Sequence, residues 1–276
     1  MSSRRRGAPV RVEVDPPTLL DVFERHRARL ISAVEELETE DWAAPSRCAR
    51  WTVADVVAHL RWGTEVALEL IRRVEAGSDE RLFTAFDPRT TPEAELAPLR
   101  DRDPAEHIAV IRSGTGTLVA TARDLVARGV EEEADTPLGW VPWPLSVNHL
   151  LWDSWLHERD VLVPLRAAPA PDPVEVRLVG SYQLVILGSV LSMFGMRGTV
   201  DLRLEGTCGG AQRVRVGDEV VVDSPDGPPG GEGCITGEAV AVIEAMSGRG
   251  DLTAVARGPE AMLRPAAVLG ARLAGM

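Results

Sequence analysis

The stretch Trp51-Thr52-Val53-Ala54-Asp55-Val56-Val57-Ala58-His59-Leu60 decides how this chain is read. Thr52 is followed three residues later by Asp55, close to a capping box, which marks a helix N-terminus. Val53, Val56, Val57 and Leu60 follow at helical spacing, and the apolar pattern resumes from Val66 to Ile71 before Gly77 ends it. On either side lie three more helical patterns. Pro16 and Pro17 open one that runs to about Leu37, carrying Leu20, Phe23, Leu30, Ile31 and Val34. Another spans about Ala105 to Arg128, with Gly114 and Gly116 in its middle, and the last runs from about Ser146 to Val163. Phe83 to Pro104 is polar and proline-containing and reads as a long loop. Four helices with long crossings imply a bundle.

The last of these helices carries Asp153-Ser-Trp-Leu-His157-Glu-Arg-Asp160. An i, i+4 spacing puts Asp153 and His157 on one face, a turn apart. With His59 from a neighbouring antiparallel helix, two imidazoles and a carboxylate could meet at one divalent metal, as bundle-core sites do. Three protein ligands and an open position is the catalytic arrangement for zinc. The spacing alone also fits two hydrogen-bonded core histidines. His149 lies one turn before Asp153, as a fourth ligand, a substrate contact or a packing residue. Asp160 lies one turn beyond His157, as an acceptor for its second N–H or an ordinary surface carboxylate.

Composition narrows the remaining choices. At 276 residues the chain can hold one large or two ordinary domains. A formal charge of −12 with no basic stripe excludes a nucleic-acid face. There is no lysine, which excludes Schiff-base chemistry, pyridoxal phosphate anchoring, Walker-type loops and the kinase lysine. Arg4-Arg5-Arg6 is followed by Gly7 and Pro9 rather than an apolar core, so a solvated tail is expected there, not a signal peptide. No apolar run is read as a membrane span, Leu184 to Phe194 being short enough for a buried helix. Cys48, Cys208 and Cys234 form neither a disulfide framework nor a metal knuckle, and a reducing cytoplasm is the simplest setting. Beside the Trp-Thr-Val helix start, Cys48 reads as a small buried hydrophobe.

All seven tryptophans lie in the first 155 residues. A Pro/Ala-rich stretch follows, and beyond it the texture changes. Val174-Glu-Val-Arg-Leu-Val179, Val200-Asp-Leu-Arg-Leu-Glu205, Arg213-Val-Arg-Val216 and Glu219-Val-Val-Val-Asp223 alternate or are β-branched and are expected to be strands. Helices are expected at Tyr182 to Met196, Gly237 to Met246 and near Pro259 to Ala274. The fold class is therefore an α bundle followed by an α+β module. The expected divisions are a disordered tail at 1–14, the bundle at 15–165, a linker at 166–173 and the α+β domain at 174–276.

The combination of Asp41-Trp42, Cys48, the Trp51–Leu60 run and a carboxylate-x-x-x-His-x-x-Asp run resembles the mycothiol-dependent maleylpyruvate isomerases, DinB-like metal-binding four-helix bundles. The resemblance extends in order along the chain. It implies a C-terminal domain shaped like sterol-carrier proteins, and Gly237 to Leu252 resembles its later part. It also implies zinc, or another divalent metal, on His59, Asp153 and His157, and mycothiol as thiol cosubstrate. Asp153 stands where the family has glutamate and is one methylene shorter. The helices must then approach more closely, the metal geometry must change, or a water must intervene. An arginine of the second domain is implied near the site, for which Arg249 and Arg257 are the candidates, as catalytic or cofactor-holding groups.

The function implied is addition of a thiol to, its transfer to, or cis–trans isomerisation of a small electrophile. Two other classes fit the same residues. One is a hydrolase with a zinc-bound water; the other is a metal-free bundle that binds an apolar ligand. Neither the substrate nor the oligomeric state is legible in the sequence.

Overall fold

The computed structural model describes residues 8–88, 90–166, 169–225 and 234–273. They fall into two compact units, one of Pro16–Ala134 with Trp143–Ala170, the other of residues up to Asp15, Asp135–Pro142 and Pro171–Ala274. The first unit holds α1 (Pro16–Glu35), α2 (Val53–Glu75), a short α3 (Thr91–Leu96), α4 (Pro104–Ala127) and α5 (Pro144–Leu165). The four long helices pack in a ring, with α1 and α2 each against both α4 and α5. Prolines open α1, α4 and α5 at positions whose N–H has no partner within a helix. The glycine inside α4 has a packing reason: a Cβ on Gly114 would lie 2.6 Å from Thr64 Cγ2 of α2. Between Phe83 and Pro104, where a loop was expected, α3 forms behind Thr90-Thr91-Pro92 and buries Leu96.

The second unit is built on a six-stranded sheet, with the two-residue β8 (Ala256–Arg257) at one edge. The other five strands are β1 (Val10–Val12), β4 (Gly198–Glu205), β5 (Gly210–Val216), β6 (Val220–Asp223) and β7 (Cys234–Glu238), and the order is β1-β6-β5-β4-β7-β8. A separate hairpin joins β2 (Glu133–Thr136) to β3 (Gly139–Pro142). α6 (Pro173–Met193) packs on β5, β6 and β1, α7 (Ala239–Met246) packs on β7 and β4, and α8 (Leu252–Val255) and α9 (Glu260–Leu273) pack on α7. On β5, Gln212, Val214 and Val216 turn inward, while Arg213 pairs with Asp201 and Arg215 with Asp223 across the neighbouring strands.

Three expectations change here. Val10–Val12 is a strand and not part of a disordered tail: it pairs in parallel with Val220–Val222, and Val220 N–H donates to Pro9 O. Residues 1–7 of that tail lie outside the described residues. Three residues carry too little periodicity to reveal a partner some 210 positions away. Val174–Val179 is the start of α6 and not a strand. Asp172 caps it, accepting from the N–H groups of Val174 and Glu175, and Pro173 follows at the first helical position. The alternation misled because α6 is buried on nearly all sides, which erases the helical period. Cys234–Glu238 is a strand running directly into α7, so the helix expected from Gly237 begins at Ala239.

By length and apolarity α6 meets the test for a membrane span, yet 78% of its most apolar window is buried, as in a core helix. Its close seat depends on Gly188, where a Cβ would lie 2.6 Å from Val220 Cγ1 and 2.7 Å from Val214 Cγ2. At Gly116, exposed on α4, an added Cβ would meet nothing within 4 Å. Gly116→Ala should therefore raise the unfolding free energy by about 0.5–1 kcal/mol. Gly188→Ala should lower it despite the same gain in helix propensity, because overpacking costs about 1–3 kcal/mol. Urea unfolding of both variants checks the opposite signs.

Candidate metal centre

The chain ahead of His59 is tied so that α2 begins at one place. Thr52 Oγ1 accepts from Asp55 N–H at 3.2 Å, and the Asp55 carboxylate accepts from Thr52 N–H at 3.0 Å. Ser46 Oγ accepts from Cys48 N–H and donates to Trp51 O, and Val53 N–H donates to Ala44 O. Trp51 is thereby fixed, and its indole N–H donates to Glu93 Oε2 at 3.1 Å. Arg100 joins Glu93 to Asp55, at 2.7 and 3.0 Å, and with the Trp51 indole it holds the Glu93 carboxyl below its ordinary range. The ring so held lies 5.0 Å from that of His59 and 6.1 Å from that of His157, with Trp62 5.6 Å from His59 on another side. Glu93 and Arg100 lie in the proline-containing segment whose composition reads as a loop, so spacing does not mark them.

His59 Nε2 lies 3.5 Å from Asp153 Oδ1, and His157 Nε2 lies 3.4 Å from the same oxygen. All three donor atoms fall within 4.8 Å of one another. A tetrahedral metal with bonds of about 2.0–2.1 Å keeps neighbouring donors about 3.4 Å apart, and both imidazole–carboxylate separations match that spacing. The aspartate, shorter than a glutamate, still reaches both imidazoles because α2 and α5 pack directly. The side chains are 6, 10 and 3% exposed in the order His59, Asp153, His157, so the cluster is nearly closed to solvent.

On the far side of the His157 ring, Nδ1 lies 3.0 Å from Asp160 Oδ2. Asp160 is fully buried, and Arg47 approaches its other oxygen at 3.8 Å. The Cys48 thiol donates to Asp160 Oδ2 at 3.2 Å and lies 3.8 Å from His157 Nδ1. Cys48 is thus buried as expected, but it is a hydrogen-bonding group and not only a hydrophobe. Cys48, His157 and Asp160 are also close enough to share an ion. Asp160, however, already has Arg47 beside it and accepts from both neighbours, which suits a group that orients the imidazole. With an N–H on Nδ1 directed at Asp160, Nε2 is the nitrogen left for a metal once its own proton is displaced.

Burial alone would push the Asp153 carboxyl up, but His157 and His59 outweigh it and hold it well below its ordinary range. Burial would likewise pull His157 down, and Asp153, Asp160 and Cys48 reverse this and hold it well above. His149 is lowered, by burial foremost, and its ring stacks on Trp152 at 5.7 Å. It is not among the converging donors, which favours its packing role. The two candidate arginines belong to the second unit. Arg249 Nη1 donates to Ser247 O at 2.8 Å, and Arg257, 77% exposed, pairs with Glu205 at 3.2 Å.

These shifts fix how the metal-stripped protein responds to pH. The Asp153 contribution is present above its unfolded value near 3.8 and is lost as pH falls through the depressed folded value. The His157 contribution is fully present below 6.5 and is lost as pH rises through the raised folded value. Urea midpoints in chelator should therefore fall on both sides, and His157→Gln should remove the alkaline loss. An alkaline limb unchanged in that variant would count against the ion pair.

Two solved structures share the fold. One is the crystal structure of the mycothiol-dependent maleylpyruvate isomerase, with TM-score 0.61 and 15% identity, covering 86% of this chain and 90% of that one. The other is a histidine-to-alanine mutant of it, with TM-score 0.60 and the same identity and coverage. No curated protein sequence matches the chain. The profile of the mycothiol maleylpyruvate isomerase N-terminal domain matches residues 23–162, half of the chain, and that span contains every donor described above. The chain belongs to the mycothiol maleylpyruvate isomerase N-terminal domain family.

Proposed function

We propose that His59, Asp153 and His157 hold zinc or another divalent metal, and that the chain is an enzyme using mycothiol, or a similar small thiol, on a small electrophile. The observation that carries this reading is the convergence of two Nε2 atoms on Asp153 Oδ1 at 3.4–3.5 Å. When bound, the metal supplies Lewis acidity that favours the thiolate of a thiol placed in its open position. Asp160 holds the His157 tautomer and ring angle, and Asp153 supplies the negative charge at the centre. Trp51 and Trp62 cover His59 and exclude water, and they offer an aromatic wall to an apolar part of the thiol or substrate.

A thiolate that adds to a conjugated double bond turns it into a single bond. Rotation followed by expulsion of the thiolate gives the isomer and restores the thiol. If the adduct persists, or a leaving group departs instead, the outcome is S-transfer. Isomerase and S-transferase both fall within this reading. Arg249 and Arg257 stay in it as candidates for holding a carboxylate of the thiol or substrate. An alanine at either that leaves KM unchanged removes that residue. A thiol cosubstrate and three cysteines outside disulfides suit a reducing cytoplasm.

Metal content tests the centre first. Protein purified without chelator should carry about one zinc per chain, lost in His59→Ala and in His157→Ala. Asp160→Asn should weaken zinc affinity about 10- to 100-fold in competition with a chromogenic chelator. Because His157 is held protonated in the metal-free state, zinc binding must displace that proton. Apparent affinity should fall about tenfold per pH unit below the raised His157 value. Consumption of an electrophile only with added thiol supports the reading. Ester or amide hydrolysis without thiol would replace it with a metal-dependent hydrolase. Saturable apolar-ligand binding by protein that takes up no metal would replace it with a binding protein.

A further inference from the structure

Gly63 lies in the interior of α2, one turn after His59 and on the same face. Glycine weakens a helix interior relative to alanine, so its place here needs a reason. Its backbone is not left-handed, so conformation does not require it. Packing does not require it either. The nearest atoms that a Cβ at Gly63 would meet across the bundle are Leu150 Cδ2 at 3.9 Å and Asp153 Oδ2 at 4.0 Å, ordinary van der Waals contact. The missing side chain therefore leaves a space against the second oxygen of Asp153, whose first oxygen faces both imidazoles. Other flanks of the cluster are occupied. Trp51 lies over both imidazoles, Trp62 stands beside His59, and Asp160 and Cys48 back His157. Gly63 is partly exposed, as is His149 one turn before Asp153 on α5, whereas the three donors are buried. Asp153, against which the Gly63 space lies, is the most exposed of the three donor side chains.

We propose that Gly63 is a specificity-determining residue: its missing side chain keeps open the passage along the α2–α5 seam by which the thiol cosubstrate reaches the metal centre. The room left there sets how bulky the group behind the sulfur can be. This inference rests on reading His59, Asp153 and His157 as the reaction centre. A thiol whose sulfur takes the open metal position must carry the rest of its molecule out through space that no side chain fills. Trp51, Trp62 and the groups behind His157 fill their flanks, and at Gly63 a whole side chain is absent. The Cβ of a helical residue leans toward the helix N-terminus, so any side chain at 63 grows back over the turn that carries His59. Asp153 Oδ2 at the edge of this space is an acceptor for a hydroxyl or amide N–H of the entering molecule.

The test uses the full chain as wild type, Gly63→Ala and Gly63→Leu. Gly63→Ala should melt above wild type by about 1–4 °C, because the methyl group fits and alanine favours the helix. On cobalt-loaded protein the sulfur-to-cobalt absorption band reads thiol binding, with mycothiol as the bulky probe and 2-mercaptoethanol as the small one. The mycothiol Kd should weaken about 10- to 100-fold in Gly63→Leu and by a smaller factor in Gly63→Ala, with metal content unchanged. The three proteins should bind 2-mercaptoethanol nearly alike. In metal-free protein, diethyl pyrocarbonate should label His59 more slowly in Gly63→Leu than in wild type, read by peptide mass mapping. Gly63→Ala decides the matter if Gly63→Leu does not fold: a variant that melts above wild type and loses affinity for mycothiol alone is obstructed, not damaged. Unchanged mycothiol affinity in both variants overturns the inference, because the thiol then enters elsewhere. Equal weakening of both thiols also overturns it, since the substitution then disturbs the metal and not the passage. If wild type takes up no metal or shows no thiol band, the thiol-enzyme reading fails and His59 labelling decides on the passage. Slower labelling in Gly63→Leu then keeps it, and equal labelling strikes it out.

Discussion

One carboxylate pressed between two imidazoles, inside a bundle core rich in leucine, valine and tryptophan, is the constraint on which the first unit depends. Asp153 is buried and ionised only because His59 and His157 face it, and those two rings are held by groups standing behind them. Asp160 and Cys48 stand behind His157, and Arg47 stands behind Asp160. Trp51 lies over both imidazoles and is itself held by Glu93 and Arg100. On the His157 side the polar groups form a chain outward from the centre, from His157 to Asp160 and from Asp160 to Arg47. A buried polar network stabilises a fold only when its members are satisfied in this way.

How much of this was legible in sequence follows from how local each signal is. The cap at Thr52, the helical spacing to Leu60 and the i, i+4 relation of Asp153 and His157 are all set within a turn or two of chain. These mark the helices and put Asp153 and His157 on one face, while the joining of His59 to that pair is what the family resemblance implies. Glu93 and Arg100 were hidden because their segment is rich in proline and charge, and α3 exists only through Leu96 packing into the core. Val174–Val179 misled because a helix buried on nearly all sides has no polar face to reveal its period.

An aspartate is one methylene shorter than a glutamate, a reach smaller by about 1.5 Å. Asp153 meets both imidazoles at 3.4–3.5 Å from a helix that packs directly on α2. Small side chains allow close approach elsewhere in the bundle. At Gly114, α4 meets α2 with no room for a methyl group. The same device recurs in the second unit, where Gly188 lets α6 settle onto Val214 and Val220. In both places a residue that weakens a helix in isolation is retained for what it lets the helix touch.

The first strand of the sheet has a consequence in time as well as in space. Val10 emerges from the ribosome 210 residues before its partner Val220. At about 5–20 residues per second, that interval lasts roughly ten to forty seconds. All the helices of the bundle are synthesised within it, so the bundle can condense while the strand waits unpaired. The sheet is then closed by a segment that has been exposed throughout. Val10-Arg11-Val12 is short and carries a charge at its centre, which keeps such a waiting edge from recruiting other chains. A strand that must wait longest is thus among the shortest in its sheet.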